Sequence, residues 1–268
     1  MIATIFESAT IVDGTGSARY VTDVGVVGER IALIGDLRER DAQRRVDCRG
    51  KILAPGFIDV HSHSDELWLA LPRCDGKIAQ GVTTEIGGNC GTSVAPARGV
   101  ALHKLQHSAA HYGIDVEWES FDDFFRLIEA HGVALNVASL VGLGTTRSLV
   151  AADSERRLES DESAAQARIV REACEHGAIG VSSGLIYPPS MYADLDELTA
   201  MSAAAREGGA ALYASHVRNE GDTLLDAIHE ALEVGRRAEV AVQCSHHKSQ
   251  GKQNWGRVQA SLEHIEKA

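Results

Sequence analysis

The sequence predicts an α/β fold: a (β/α)8-type barrel, incomplete here at about six strand–helix units, behind a short β-rich opening segment. Three observations predict it. From Lys51 onward, short apolar runs alternate with amphipathic stretches of helical length, and strand–helix repetition implies a parallel sheet covered on both faces. No Gly-rich GxGxxG follows the first of these runs, which weakens the alternative of an open doubly wound sheet. Cysteine and histidine recur at the carboxyl ends of four runs, and in a barrel those ends share one rim.

Length and composition bound the rest. A chain of 268 residues, 44% of them hydrophobic, can bury a substantial core. Its net charge of −12 argues against a nucleic-acid surface, which needs clustered Lys and Arg, so a small-molecule substrate is expected. Residues 1–6 lack a secretory pattern, and no run approaches the ~20 apolar residues of a membrane span. A cytoplasmic enzyme without membrane attachment is the resulting expectation; the oligomeric state is left open. Five cysteines, odd in number and without CxxC spacing, do not form a disulfide framework. A cysteine with a special role is therefore a ligand or a nucleophile.

In chain order, Ile2 opens a strand that ends at the turn dipeptide Asp13-Gly14. Residues 24–27 are answered by 31–34 across Gly28-Glu29-Arg30, a hairpin. This segment carries no ligand cluster and is assigned a structural role. The strands expected beyond it are 52–60, 82–86, 134–141, 178–182, 211–214 and 240–244. Between them, residues 161–176 form a helix whose inner face is Ala165, Ile169, Val170, Ala173 and Cys174, stopped by Gly177. Asp194, with Glu197 three residues on, makes a capping-box-like start for the next helix. Leu224, Leu225, Ile228 and Leu232 stripe the one after, and residues 255–268 read as the sixth helix.

The candidate ligands follow from strand ends. His61 and His63 close the first strand and share a face, because residues two apart point the same way. After the second strand, Gly88-Asn89-Cys90-Gly91 turns the backbone sharply and carries a thiol into a confined space. His216 ends the fifth strand and His246 follows the sixth. Any one of these alone reads as an ordinary core or surface residue; together they form the Cys/His set that zinc prefers. Cys244 lies one step deeper and is assigned to the core. His247 faces away from His246, where it is expected to hydrogen-bond behind the ligands. His103, His107, His111, His131, His176, His229 and His264 fall on helices or their ends and are expected to face solvent.

With these residues in view, the chain resembles the amidohydrolase superfamily, and within it the D-aminoacylase (N-acyl-D-amino-acid deacylase) family. The matching segments are 55–63 (PGFIDVHSH), 78–91 (IAQGVTTEIGGNCG), 180–189 (GVSSGLIYPP), 214–221 (ASHVRNEG) and 245–257 (SHHKSQGKQNWGR). The resemblance implies that residues 1–52 are the N-terminal part of a small β-sandwich domain and 53–268 the first six units of the catalytic barrel. It implies zinc as cofactor, held tightly by Cys90, His216 and His246, with Cys90 bridging to a weaker position at His61 and His63. Tyr187 and Lys248 are similar to residues that receive the substrate carboxylate. The implied reaction is hydrolysis of an N-acyl-D-amino acid to a carboxylate and a free D-amino acid, zinc lowering the pKa of bound water to about 7. Two departures stand out. Leu143 occupies a place where the family is expected to carry histidine. The catalytic aspartate is expected beyond residue 268, so the sequence reads as truncated and, alone, as inactive. A relative acting on a cyclic amide or a dipeptide, and a non-catalytic metal-binding fragment, are the competing readings.

Overall fold

The computed structural model describes residues 1–152 and 154–268. Two compact units divide the chain, Met1–Phe57 and Ile58–Ala268. The first is a β-sheet in which β1 (Ile2–Ile11) pairs antiparallel with β2 (Tyr20–Val27), and β2 with β3 (Arg30–Gly35). The hairpin is tighter than expected: Val27 pairs with Arg30, so Gly28-Glu29 alone make the turn. On the other side of β1 lie β4 (Ala42–Asp47) and β5 (Ile52–Leu53), both parallel to it. Strand β4 was not expected, since its run Gln43-Arg44-Arg45 has no apolar alternation. Its outward side chains are exposed instead, and Arg45 is held by Glu7 of β1 at 2.9 Å.

The second unit alternates strands and helices. Its elements are β6 (Phe57–Asp59), α1 (Leu67–Ala70), α2 (Asp75–Ile78), β7 (Val82–Gly87), α3 (Gly99–Ala110), α4 (Phe121–His131), β8 (Asn136–Ser139) and β9 (Val141–Gly142). There follow α5 (Leu143–Ala151), α6 (Ser160–Glu175), β10 (Val181–Gly184), α7 (Leu195–Glu207), β11 (Leu212–His216), α8 (Leu224–Ala238), β12 (Ala241–Cys244) and α9 (Arg257–Glu266). One sheet has the order β6-β7-β8 and another the order β12-β11-β10-β9. The pairs β7–β8, β9–β10, β10–β11 and β11–β12 are all parallel, so this unit is α/β with parallel sheets.

Two expected strands divide. The run 52–60 splits into β5 and β6 at Ala54-Pro55-Gly56, because proline has no N–H to give a ladder and the glycine resists an extended register. Its first half pairs with β1, and its second joins the sheet of β7. The run 134–141 divides at Leu140, whose N–H goes to Gly87 O while that of Val141 goes to Gly180 O. A single stretch thereby passes from the partner on one side to the partner on the other.

The helices follow their sequence signals in outline, but the buried face of α8 is Leu224, Ala227, Ile228, Ala231 and Val234, with Leu225 and Leu232 of the expected stripe only half-buried. Helix α4 starts on a capping box between Ser120 and Asp123. Asp194 caps α7 by accepting the Glu197 N–H at 2.9 Å, but Glu197 does not reciprocate. Its carboxylate instead meets Arg147 Nε at 2.9 Å, the two side chains being 8% and 1% exposed. In α6 the buried positions are Gln166, Val170, Ala173 and Cys174 rather than the purely apolar set expected. Gln166 is accommodated because its amide donates to Leu143 O and Thr146 Oγ1. One continuous core joins Trp68, Phe121, Phe124, Val141, Val181, Met201, Tyr213 and Ile228. Among the described residues, no helix is long and apolar enough to cross a membrane.

Candidate metal centre

The segment after β6 carries His61 and His63, which lie beyond the strand rather than at its end. Their orientation comes from the residue between them. Ser62 is buried, its N–H bonded to Ile86 O and its hydroxyl to Glu85. Glu85 is 1% exposed and also accepts from Trp68 Nε1 at 2.9 Å and Lys77 Nζ at 2.9 Å. With Ser62 pinned inward, the two imidazoles turn to the opposite side, their rings 5.3 Å apart. Asp65 adds a second tie, accepting the Gly88 N–H at 2.7 Å. Burial pushes its carboxyl up to about 7, against the pull of that N–H.

The thiol is delivered by a turn that glycine makes possible. Gly88 has φ +69, and a Cβ there would lie 1.9 Å from Leu140 O. Cys90 itself sits at φ +54, a conformation costly for any residue with a side chain, and His246 at φ +35. The turn is fastened by Ser182 of β10, whose hydroxyl donates to Gly88 O at 2.5 Å and accepts from the Gly91 N–H at 3.0 Å. Gln243 of β12 donates to Val60 O at 3.2 Å, holding that strand beside the His61 segment.

Cys90 Sγ lies 3.5 Å from His61 Nε2, 3.6 Å from His216 Nδ1 and 3.6 Å from His246 Nε2. One thiol has one proton and serves one imidazole as donor, yet three imidazoles stand around it at nearly equal distance. A metal accounts for the spacing: zinc–sulfur and zinc–nitrogen bonds of about 2.3 and 2.05 Å at a tetrahedral angle set sulfur and nitrogen roughly 3.5 Å apart. Among the described residues, two buried ring nitrogens, His61 Nδ1 and His216 Nε2, have no hydrogen-bond partner. Burial, together with His246 and His63, pushes His61 down to about 4; burial and His246 also lower His63 and His216. These rings are neutral at pH 7 and offer lone pairs. Burial pushes the Cys90 thiol up to about 11, with Lys248 pulling the other way. The donor set fits a divalent ion of zinc's softness.

Other expected residues fall as follows. His63 is exposed beside His61 and belongs to neither of the two compact donor groups found among the described residues, His61–Cys90–His246 and His216–Glu220–His246. Tyr187 is exposed, its ring 5.1 Å from that of His216. Lys248 Nζ is paired with Glu220 and lies 3.0 Å from His246 Nδ1. Leu143 is buried in the core at the start of α5. His247 does not back the candidate ligands; its Nε2 meets Ser261 Oγ of α9 at 2.7 Å. Cys244 packs against the core, and its thiol is raised by burial. The seven remaining histidines are exposed.

Glu220 was not singled out from the sequence. The available signal was its place four residues beyond a strand-end histidine, in the segment 214–221. Its side chain is 9% exposed and meets His246 Nδ1 at 3.0 Å.

Residues 44–264 match the amidohydrolase family. The chain is 40% identical to N-acyl-D-glutamate deacylase and 38% identical to D-aminoacylase, both of Alcaligenes xylosoxydans xylosoxydans, over 98% of its own length and 54% of theirs. It thus spans about half the length of the relatives it matches. The crystal structure of N-acyl-D-glutamate deacylase from Bordetella bronchiseptica, complexed with zinc and a phosphonate mimic of the tetrahedral intermediate, superposes with a TM-score of 0.90 at 37% identity. That likeness covers 99% of this chain and 56% of the other.

Proposed function

The chain belongs to the amidohydrolase family, and from this we propose that it functions in zinc-dependent hydrolysis of N-acyl-D-amino acids to a carboxylate and a free D-amino acid. The observation that carries the reading is one thiol with three imidazole nitrogens at 3.5–3.6 Å. Likeness to two deacylases of D-amino acids supports the linear amide and the D configuration. The zinc in the related crystal structure supports the metal.

In this reading Cys90, His216 and His246 hold the tightly bound zinc, while His61 and His63, with Cys90, make a second and weaker position. The strands β6, β7, β8–β9, β10, β11 and β12 are successive units of a (β/α)8-type barrel with its ligands on the carboxyl rim. Residues 1–52 are the N-terminal part of a small β-sandwich domain, and 53–268 belong to the barrel.

Zinc held here would supply a Lewis acid for the amide carbonyl and bring water into the ionisation range of neutral pH. The chain's own residues bind and orient. His61 and His216, neutral at pH 7, bind without giving up a proton, whereas the Cys90 thiol yields one. Lys248 and Tyr187 receive the substrate carboxylate at the rim. Because Lys248 is already paired with Glu220, the incoming carboxylate shares the ammonium with Glu220 or displaces it.

Metal analysis and a hydrolase assay test the proposal, run on this chain and on the longest polypeptide its gene encodes. The expected result is one equivalent of zinc that survives gel filtration and is lost in Cys90→Ser and His246→Ala. The zinc-loaded enzyme releases D-amino acid from N-acetyl-D-amino acids and leaves the L-enantiomers and hydantoins intact. Zinc retained by both variants, or turnover of hydantoins in preference, overturns it.

A further inference from the structure

Among the described residues, a carboxylate of 9% side-chain exposure touches the donor cluster and has so far been given no part in holding the metal. Glu220 stands in the loop after β11, and its Oε1 meets His246 Nδ1 at 3.0 Å, lies 3.7 Å from His216 Nε2, and pairs with Lys248 Nζ. In both rings these are the nitrogens that do not face the thiol. His246 presents Nε2 to Cys90 Sγ and His216 presents Nδ1. The two nitrogens of an imidazole point apart, so an ion beside Cys90 is out of reach of Glu220. The carboxylate stands behind the ligands.

We propose that Glu220 is a positioning residue for the metal centre: by accepting the Nδ1–H of His246 it fixes the tautomer and rotation that aim Nε2 at the space beside Cys90. The inference rests on the metal reading and adds to it a residue that sets ligand geometry. A neutral imidazole carries one N–H and one lone pair, so a proton held at Nδ1 leaves Nε2 free to bind. Lys248 Nζ lies 3.0 Å from the same nitrogen. If the ammonium donated there, the ring proton would sit on Nε2, facing the sulfur and unable to ligate. A carboxylate that accepts from both Nδ1–H and the ammonium removes that conflict, which is how the three groups are arranged. Glu220 Oε1 also lies 3.7 Å from Nε2 of His216, a buried nitrogen with no hydrogen-bond partner. Carboxylates in this relation to metal-binding histidines are typically worth about 10–100-fold in metal affinity.

The test uses the whole 268-residue chain, zinc titrated against a chromogenic chelator, and cobalt(II) as a spectroscopic substitute. Wild type, Glu220→Ala, Glu220→Gln and Cys90→Ser are compared at one pH, with far-UV circular dichroism as a check on folding. Expected for Glu220→Ala is a 10–100-fold loss of zinc affinity and a shift of the cobalt ligand-field bands, with the sulfur-to-cobalt charge-transfer band kept. Glu220→Gln, which keeps an acceptor oxygen at the same reach, loses less. Zinc affinity within twofold of wild type and an unchanged cobalt spectrum in Glu220→Ala overturn the proposal. If Glu220→Ala does not fold, Glu220→Leu, of similar size and without an acceptor, decides: binding and spectrum identical to wild type overturn the proposal, and weaker binding with shifted bands supports it. A wild-type chain that binds neither metal, or a Cys90→Ser chain that binds as wild type, overturns the underlying metal reading, an outcome distinct from the failure of Glu220 alone.

Discussion

Replacing Gly88 by alanine tests whether the thiol's place depends on one missing side chain, and the chain contains its own control. Gly88 and Gly113 have the same backbone angle, φ +69, but a Cβ at Gly88 would lie 1.9 Å from Leu140 O and 2.6 Å from Ser139 Oγ, while nothing lies within 4 Å at Gly113. The conformational cost of an L side chain in the left-handed region is about 1–2 kcal/mol and is common to both. At Gly88 the backbone must also move, which breaks its N–H bond to Asp65 and its carbonyl bond from Ser182. Each broken buried bond costs about 1–3 kcal/mol. The expected loss is therefore about 4 kcal/mol or more for Gly88→Ala against about 1–2 for Gly113→Ala. At roughly 2–4 °C per kcal/mol for a chain of this size, melting falls by about 8–16 °C in the first and about 2–8 °C in the second. Differential scanning calorimetry of the two variants, followed by zinc titration, measures both effects. Equal falls in Tm, or wild-type zinc affinity in Gly88→Ala, would show that the turn yields without consequence and that the steric reasoning is wrong.

Three further outcomes are expected. Glu197→Leu strands the 1%-exposed Arg147 cation without its counter-charge and should cost about 3–5 kcal/mol in urea denaturation, whereas the double variant Arg147→Met/Glu197→Leu should recover much of the loss; equal costs would mean that the pair interacts little. Asp65 has a carboxyl raised from 3.8 to about 7 by burial, so its folded form prefers the proton and its contribution to stability, complete below about pH 4, declines as pH rises toward 7. Asp65→Asn keeps an oxygen for the Gly88 N–H, and metal-free chain carrying it should gain on wild type across that window by on the order of 4 kcal/mol; a difference that is flat with pH would refute the shift. Ser182→Ala removes the hydroxyl that serves both Gly88 O and Gly91 N and should cost about 1–3 kcal/mol in the same denaturation assay, with weaker zinc binding because the Cys90 turn then loses this side-chain tie to β10.

The outline of this molecule was legible because its strong signals are local. The glycines flanking Cys90 and Gly177 after a helical stripe each report a backbone conformation that few other residues adopt, and His216 closes its strand as expected. What escaped depends on partners distant in sequence. Nothing near Glu85 or Asp65 reveals that these acidic residues are buried beneath the His61 segment, since their donors are Ser62, Trp68, Lys77 and Gly88. Gln166 takes a core position through acceptors in α5 that its own helix does not announce. Glu220 belongs to the same class: a surface carboxylate by composition, made interior by His216, His246 and Lys248. The divided strands show the opposite case. Pro55-Gly56 is a local signal of the break inside 52–60, a stretch whose apolar residues on either side predict one continuous strand.

The separation of the donors along the chain bears on when an ion can be captured. Cys90 is 126 residues from His216 and 156 from His246, whereas the ligands of a zinc finger close a loop of about 12–15 residues. A short loop lets metal nucleate structure in a nascent peptide; here most of the polypeptide must already be assembled before three donors meet. In the proposed metal centre occupancy would thus be a late event in maturation, and the amount of ion retained would gauge how much of a preparation has reached its finished shape.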